Sequence, residues 1–116
     1  MTPSVPRVLV VEDEEPLAEL FEVWLDGPFH VDTETRGSNA LETLSDEYDA
    51  LVLDWRMPDV SGEDILSEIN TRDIDCGVVI VTGFEPDIDM LDEHIAATLT
   101  KPVSSDELIE VLRDVV

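Results

Sequence analysis

Four short apolar runs punctuate the chain, and each stops at a polar residue of a different kind. Val8-Leu9-Val10-Val11 gives way to Glu12 and Asp13, Leu51-Val52-Leu53 to Asp54, Val78-Val79-Ile80-Val81 to Thr82, and the stretch from Ile95 to Thr100 to Lys101. Unbroken β-branched and aliphatic runs of this length suit strands that are covered on both faces. Strands are therefore predicted at about Arg7 to Val11, Ala50 to Leu53, Val78 to Val81 and Ala96 to Thr100. Another, about His30 to Thr35, alternates and is more polar, as an edge strand would be.

Between these runs the period changes. Leu17, Leu20, Phe21, Trp24 and Leu25 recur at the spacing of one buried helix face. Pro16 falls in the first turn, where a missing N–H costs nothing, and Gly27-Pro28 ends the helix. Ser38 or Asn39 can cap a short helix with Ala40, Leu41 and Leu44 turned inward. The loop Met57-Pro58-Asp59-Val60-Ser61-Gly62 leads into a helix burying Ile65, Leu66 and Ile69. Glu85 to His94 has only Ile88, Met90, Leu91 and the adjoining Ile95 to bury, and is the weakest helix of the set. The last helix opens on Ser104-Ser105-Asp106-Glu107, a capping-box spacing, and buries Leu108, Leu112 and Val115.

Strand followed by helix, five times, implies one α/β domain with a parallel sheet covered on both faces. Right-handed crossovers bring every strand C-terminus to one edge, where open sheets of this kind form their ligand crevice. Glu12, Asp13, Asp54, Thr82 and Lys101 are expected to meet there.

Composition narrows the setting. The chain of 116 residues carries 29 acidic and 6 basic groups, a formal charge of −23. Such a surface repels phosphate backbones and anionic bilayers, which argues against direct nucleic-acid or membrane contact. The acids are interleaved with apolar positions rather than gathered in a tail, so the picture is a globular domain of halophilic type. No apolar run approaches a membrane span, and the N-terminus lacks a secretory pattern, so a cytoplasmic location is expected. Cys76 is the one cysteine, so it has no intramolecular disulfide partner and reads as a loop or strand-edge residue.

Lys101 is the one lysine, directly before Pro102, and needs an anionic partner among Glu12, Asp13 and Asp54. Taken singly, these residues have plain readings: the acidic pair could open a helix, and a lone Asp is usually a solvated loop acid. Taken together at four strand ends, an acidic pair, an acid, a hydroxyl and a lysine are the chemistry of a metal-assisted phosphoryl acceptor. Three clustered carboxylates need a divalent cation to stay ionised, and magnesium, which prefers oxygen ligands, suits them. His30 and His94 read as surface or strand-edge residues, and Trp24 and Trp55 as packing residues.

Four blocks carry a resemblance along nearly the whole chain: Val10-Val11-Glu12-Asp13-Glu14, Leu53-Asp54-Trp55-Arg56-Met57-Pro58 with Ser61-Gly62, Val81-Thr82-Gly83, and Leu99-Thr100-Lys101-Pro102-Val103. In order and spacing they resemble the CheY-like receiver domains of two-component response regulators, with the acidity of haloarchaeal members. The resemblance implies a three-layer flavodoxin-like (βα)5 fold with strand order 2-1-3-4-5, one receiver domain over residues 1–116. It implies Asp54 as phosphoacceptor, with magnesium held by Asp13 and Asp54 directly, Glu12 through water, and the Arg56 backbone carbonyl. Thr82 and Lys101 would contact the phosphoryl oxygens, and the bond before Pro102 would be cis, aiming the lysine into the crevice. The partners implied are a sensor histidine kinase and a downstream output domain or protein, with pairing of two copies on activation as an option. The domain would assist its own phosphorylation and dephosphorylation without being a turnover enzyme.

Two positions depart from that pattern. Thr98 stands three residues before the lysine, where receivers usually carry an aromatic side chain that swings inward, and Phe84 is the substitute within reach. His94-Ile95-Ala96-Ala97 replaces the usual turn of small and acidic residues. The alternative function is therefore a receiver-like binding module that works without phosphorylation. A dehalogenase-type phosphatase would need a second Asp where Arg56 stands, and a flavodoxin would need a glycine-rich phosphate loop in place of Glu12-Asp13-Glu14-Glu15.

Overall fold

The computed structural model describes residues 5–83 and 94–116. Along the chain run β1 (Arg7–Val11), α1 (Glu15–Leu25), β2 (His30–Glu34), α2 (Gly37–Thr43), β3 (Ala50–Asp54), α3 (Gly62–Arg72), β4 (Gly77–Thr82), β5 (Ile95–Thr100) and α4 (Ser105–Val115). All strand pairs are parallel, in the order β2-β1-β3-β4-β5, so the predicted doubly wound sheet is what forms. The predicted helix from Glu85 to His94 lies, His94 apart, outside the described residues, as does Phe84.

Period-two alternation divides the core into two layers. Leu9, Val11, Leu51, Leu53, Val78 and Ile80 pack with Ala40 of α2, Leu44 just after it, and Ile65, Leu66 and Ile69 of α3. Val8, Val10, Ala50, Val52, Val79 and Val81 pack with Phe21, Leu25, Leu108 and Leu112 of α1 and α4. Burying side chains of this size contributes about 1.5–3 kcal/mol each. β2 is half-buried along most of its length, and His30 is exposed at its start, as expected of an edge. Cys76 lies in the loop before β4 but is buried, and that burial pushes its thiol up to about 11.

Three expectations need correction. Leu20 is 43% exposed rather than buried. α1 turns an arc centred on Ala18, Phe21 and Leu25 to the sheet, and at ~100° per residue Leu20 falls about 130° away from its middle. Neither Ser38 nor Asn39 caps α2, because the helix begins at Gly37 and both lie inside it. The capping group is instead the side chain of Asp59, from the loop before α3. Finally, β5 begins at Ile95, and its register against β4 slips between Val78 and Val79, leaving Ala96 as the extra residue. The unusual turn sequence His94-Ile95-Ala96-Ala97 is thus the site of a strand irregularity.

At the opposite end of the sheet from the strand C-termini, a polar cluster pins β1, β2 and the segment before β3. Arg7 Nη2 lies 3.2 Å from Asp32 Oδ2, Arg7 Nη1 lies 2.8 Å from Glu47 Oε2, and the guanidinium sits 5.2 Å from the centre of the Tyr48 ring. The Tyr48 hydroxyl donates to Asp32 Oδ2 at 2.6 Å. Burial first, then this acidic neighbour, push the phenol up to about 12. A raised phenol means the folded state favours the neutral ring. Its stabilisation is complete below the unfolded value of about 10 and is lost as pH rises through the folded value, on the order of 2 kcal/mol in all. Tyr48 is the one tyrosine of the chain, so tyrosinate absorbance reads this group alone. The titration midpoint should lie near pH 12, and Asp32→Asn should lower it while burial keeps it above the ordinary value of about 10; a wild-type midpoint near 10 would contradict the cluster.

Candidate functional site

The same alternation that builds the core aims the polar residues. Continued one position past Val8 and Val10, it places Glu12 on the α1 and α4 side of the sheet. Asp54 follows Ala50 and Val52 onto that side, and Lys101 follows Ala97 and Leu99. Register completes the convergence: Val11 pairs with Leu53, Asp54 with Val81, and Thr82 with Thr100. The Lys101 N–H donates to the Thr82 carbonyl at 2.8 Å, holding the lysine's backbone beside the end of β4. The Lys101–Pro102 peptide is cis.

Glu12, Asp13 and Asp54 each offer a carboxylate oxygen, and these oxygens lie within 4.8 Å of one another. Glu12 is 1% exposed and Asp54 6%, while Asp13 is half-buried at the rim and Glu14 is exposed beyond it. Lys101 Nζ reaches to 2.6 Å from Glu12 Oε1 and 3.8 Å from Asp54 Oδ2. Thr82 is buried at the end of β4. The Arg56 N–H points back to Asp54 Oδ1 at 3.4 Å, and the Glu14 N–H to Glu12 Oε2 at the same distance. All five expected site residues therefore stand at one edge of the sheet, with the Arg56 backbone beside them.

The electrostatics of the cluster are those of a site short of positive charge. Burial, then the neighbouring Glu12 and Asp13 carboxylates, push Asp54 up to about 8, and Lys101 opposes this only in part. Asp13 is held below the usual carboxylate range, chiefly by its hydrogen bond with Asp54, against partial burial. Burial works against the Lys101 ammonium, but Glu12 and Asp54 outweigh it and raise the group above its ordinary value. Three carboxylates against one ammonium leave room for a hard cation with oxygen ligands, and this donor set fits magnesium.

One residue that shapes the site's surroundings was not singled out from the sequence. Asp59, in the loop between β3 and α3, is bound to the first turn of α2. No local motif marks it, because the helix it caps lies earlier in the chain.

Comparison with known proteins agrees with this geometry. The family model described as response regulator receiver domain matches residues 8–113. A protein of Haloferax volcanii, provisionally named a transcriptional regulator, is 45% identical over 108 residues, covering 92% of this chain and 19% of its own length. A signal receiver domain from Vibrio parahaemolyticus superposes with a TM-score of 0.86 at 30% identity, over 95% of this chain and 88% of that one. The response regulator TrrA of Thermotoga maritima, solved with magnesium and beryllofluoride, gives 0.81 at 28% identity, over 96% and 99% of the two chains. The chain spans less than half the length of the curated relatives it matches, 19% of the Haloferax protein and 47% of the SaeR regulator of Staphylococcus aureus. With the family match reaching from the second residue of β1 to near the end of α4, the chain belongs to the response regulator receiver domains of two-component signalling.

Proposed function

We propose that this receiver accepts a phosphoryl group from a histidine kinase onto Asp54, with magnesium bound, and thereby alters a surface read by an output domain or protein. The observation that carries the reading is a buried Asp54 carboxylate clustered with an acidic pair and with the chain's one lysine, 3.8 Å from that ammonium. Asp13 and Asp54 would ligate the metal, Glu12 would support it through water, and the Arg56 carbonyl would complete the protein's share. When bound, magnesium neutralises the carboxylates and the charge on the incoming group. Asp54 then supplies the attacking oxygen. Lys101 is placed to stabilise charge on the transferred phosphoryl oxygens, and the Thr82 hydroxyl to bind one of them.

A second reading draws on Thr98. Its register partner is Ile80, and its buried hydroxyl has no hydrogen-bond partner among the described residues. No ring stands there to swing inward, which favours a module that binds its partner without phosphorylation. One experiment decides between the two. Incubated with magnesium and acetyl phosphate, the protein should gain the mass of a single phosphoryl group, labile to mild base, and gain nothing in chelator. Absence of any gain, in protein that remains folded, would favour the second reading.

A further inference from the structure

α2 has 7 residues, well below the ~12–15 at which an isolated helix becomes even marginal in water, so it depends on what holds it. Both its poles are held by side chains from one continuous segment, the β3–α3 loop and α3. Asp59 Oδ1 accepts from the Gly37 N–H at 3.1 Å, and Oδ2 accepts from the Ser38 N–H and the Ser38 hydroxyl, each at 3.1 Å. At the other pole Arg72 donates to the carbonyls of Leu41, at 2.9 Å, and Leu44, at 3.3 Å. A carboxylate at the N-terminus and a guanidinium at the C-terminus both match the helix dipole. Donation from the Ser38 amide above all, opposed by some loss of hydration and helped by the Gly37 and Val60 amides, holds the exposed Asp59 down to about 2. The backbones also meet: a Cβ added at Gly37 would lie 2.6 Å from Val60 Cβ and 2.9 Å from the Val60 carbonyl oxygen.

The loop's other attachments lead to the acidic cluster. The Gly62 N–H donates to the Trp55 carbonyl at 3.0 Å, and a Cβ at Gly62 would lie 2.7 Å from the Trp55 ring, so the loop closes tightly on itself. Between Asp54 and the Asp59 tether lies the Arg56 peptide, whose N–H already contacts Asp54 Oδ1.

We infer that Asp59 is a positioning residue for the Asp54 site, holding the loop that presents the Arg56 carbonyl and tying site occupancy to the order of α2. The inference rests on the phosphoacceptor reading above and extends it. Filling the site fixes the Arg56 peptide, the short run from Arg56 to Asp59 tightens, and the cap on α2 tightens with it. Linkage makes the effect reciprocal: loosening the cap must weaken ligand binding at the site.

The test combines a magnesium titration with amide exchange at Gly37 and Ser38. In the wild type, magnesium with beryllofluoride should slow exchange at both amides. Asp59→Asn turns a donor toward amides that need an acceptor; it should speed that exchange and weaken magnesium binding about 10-fold, the lower end for a residue that supports a ligand without touching the metal. Gly37→Ala, which displaces α2 from Val60 while every site residue and Asp59 stay intact, should weaken magnesium binding in the same direction. The double variant should lose less than the sum of the two. Wild-type magnesium affinity in an Asp59→Asn protein with deprotected α2 amides would overturn the inference, as would amides in the wild type that ignore magnesium and beryllofluoride. A wild type that takes up no magnesium at all would overturn the phosphoacceptor reading itself, and this one with it, before any variant is made.

Discussion

Asp54→Asn is expected to abolish phosphorylation and, in metal-free buffer, to make the protein more stable. The loss follows from chemistry: an amide oxygen lacks the charge of the attacking carboxylate, and neither neighbouring carboxylate is placed to take its role. Asp13 is nearer solvent, and Glu12 is engaged with Lys101 at 2.6 Å. The gain follows from repulsion. Three carboxylate oxygens within 4.8 Å are opposed by one ammonium, and neutralising the central member relieves that conflict. A gain of about 1 kcal/mol is typical when strain at a functional site is removed. The same substitution should erase most of the stabilisation that magnesium gives the wild type, because a cation binding only the folded state stabilises in proportion to its affinity. Thermal unfolding with and without magnesium, beside intact mass after acetyl phosphate treatment, measures all three effects. A variant that still carries a base-labile phosphoryl group would move the acceptor elsewhere.

Much of this site was legible because strand ends leave little freedom. Once a run such as Val8 to Val11 is fixed as a central strand, alternation dictates which way Glu12 points, and parallel pairing dictates what it meets. Lys101 was conspicuous because it is the one lysine of a chain with 29 acidic groups. The helices were less determinate. In α1 the apolar positions outnumber those the sheet can cover, so periodicity alone could not tell that Ala18 would be inside and Leu20 outside. α3 and α4 carry their own caps, Ser61 with Asp64 and Ser104 accepting from the Glu107 amide, and these follow a local spacing. α2 has no such signal. Its N-terminal cap comes from Asp59 and its C-terminal cap from Arg72, both later in the chain and brought close only by the fold. A reading that looks for caps within the next few residues finds Ser38 or Asn39 instead.

The overall charge sets the remaining large effect. Unfolding should depend steeply on ionic strength, with the midpoint temperature rising as potassium chloride increases from ~0.1 M, where the Debye length is about 10 Å, toward 1 M, where it is about 3 Å. The chain carries −23, and among the described residues its ion pairs are few: Arg7 with Asp32 and Glu47, Arg72 with Glu68, and Lys101 within the acidic cluster. The arginine pairs are partly exposed and contribute at most about 1 kcal/mol each, too little to offset repulsion spread over the whole surface. If screening removes even about 2 kcal/mol of that repulsion, the midpoint should rise by roughly 10 °C. Sucrose stabilises by exclusion from the surface without screening charge, so it separates the two causes. Magnesium at millimolar levels should add a separate increment at low salt through Glu12, Asp13 and Asp54. Asp54→Asn should remove most of that increment and leave the potassium chloride dependence nearly intact, since the latter arises from the entire surface. A midpoint indifferent to potassium chloride would contradict the halophilic reading of the surface, while leaving the geometry at the strand ends as it stands.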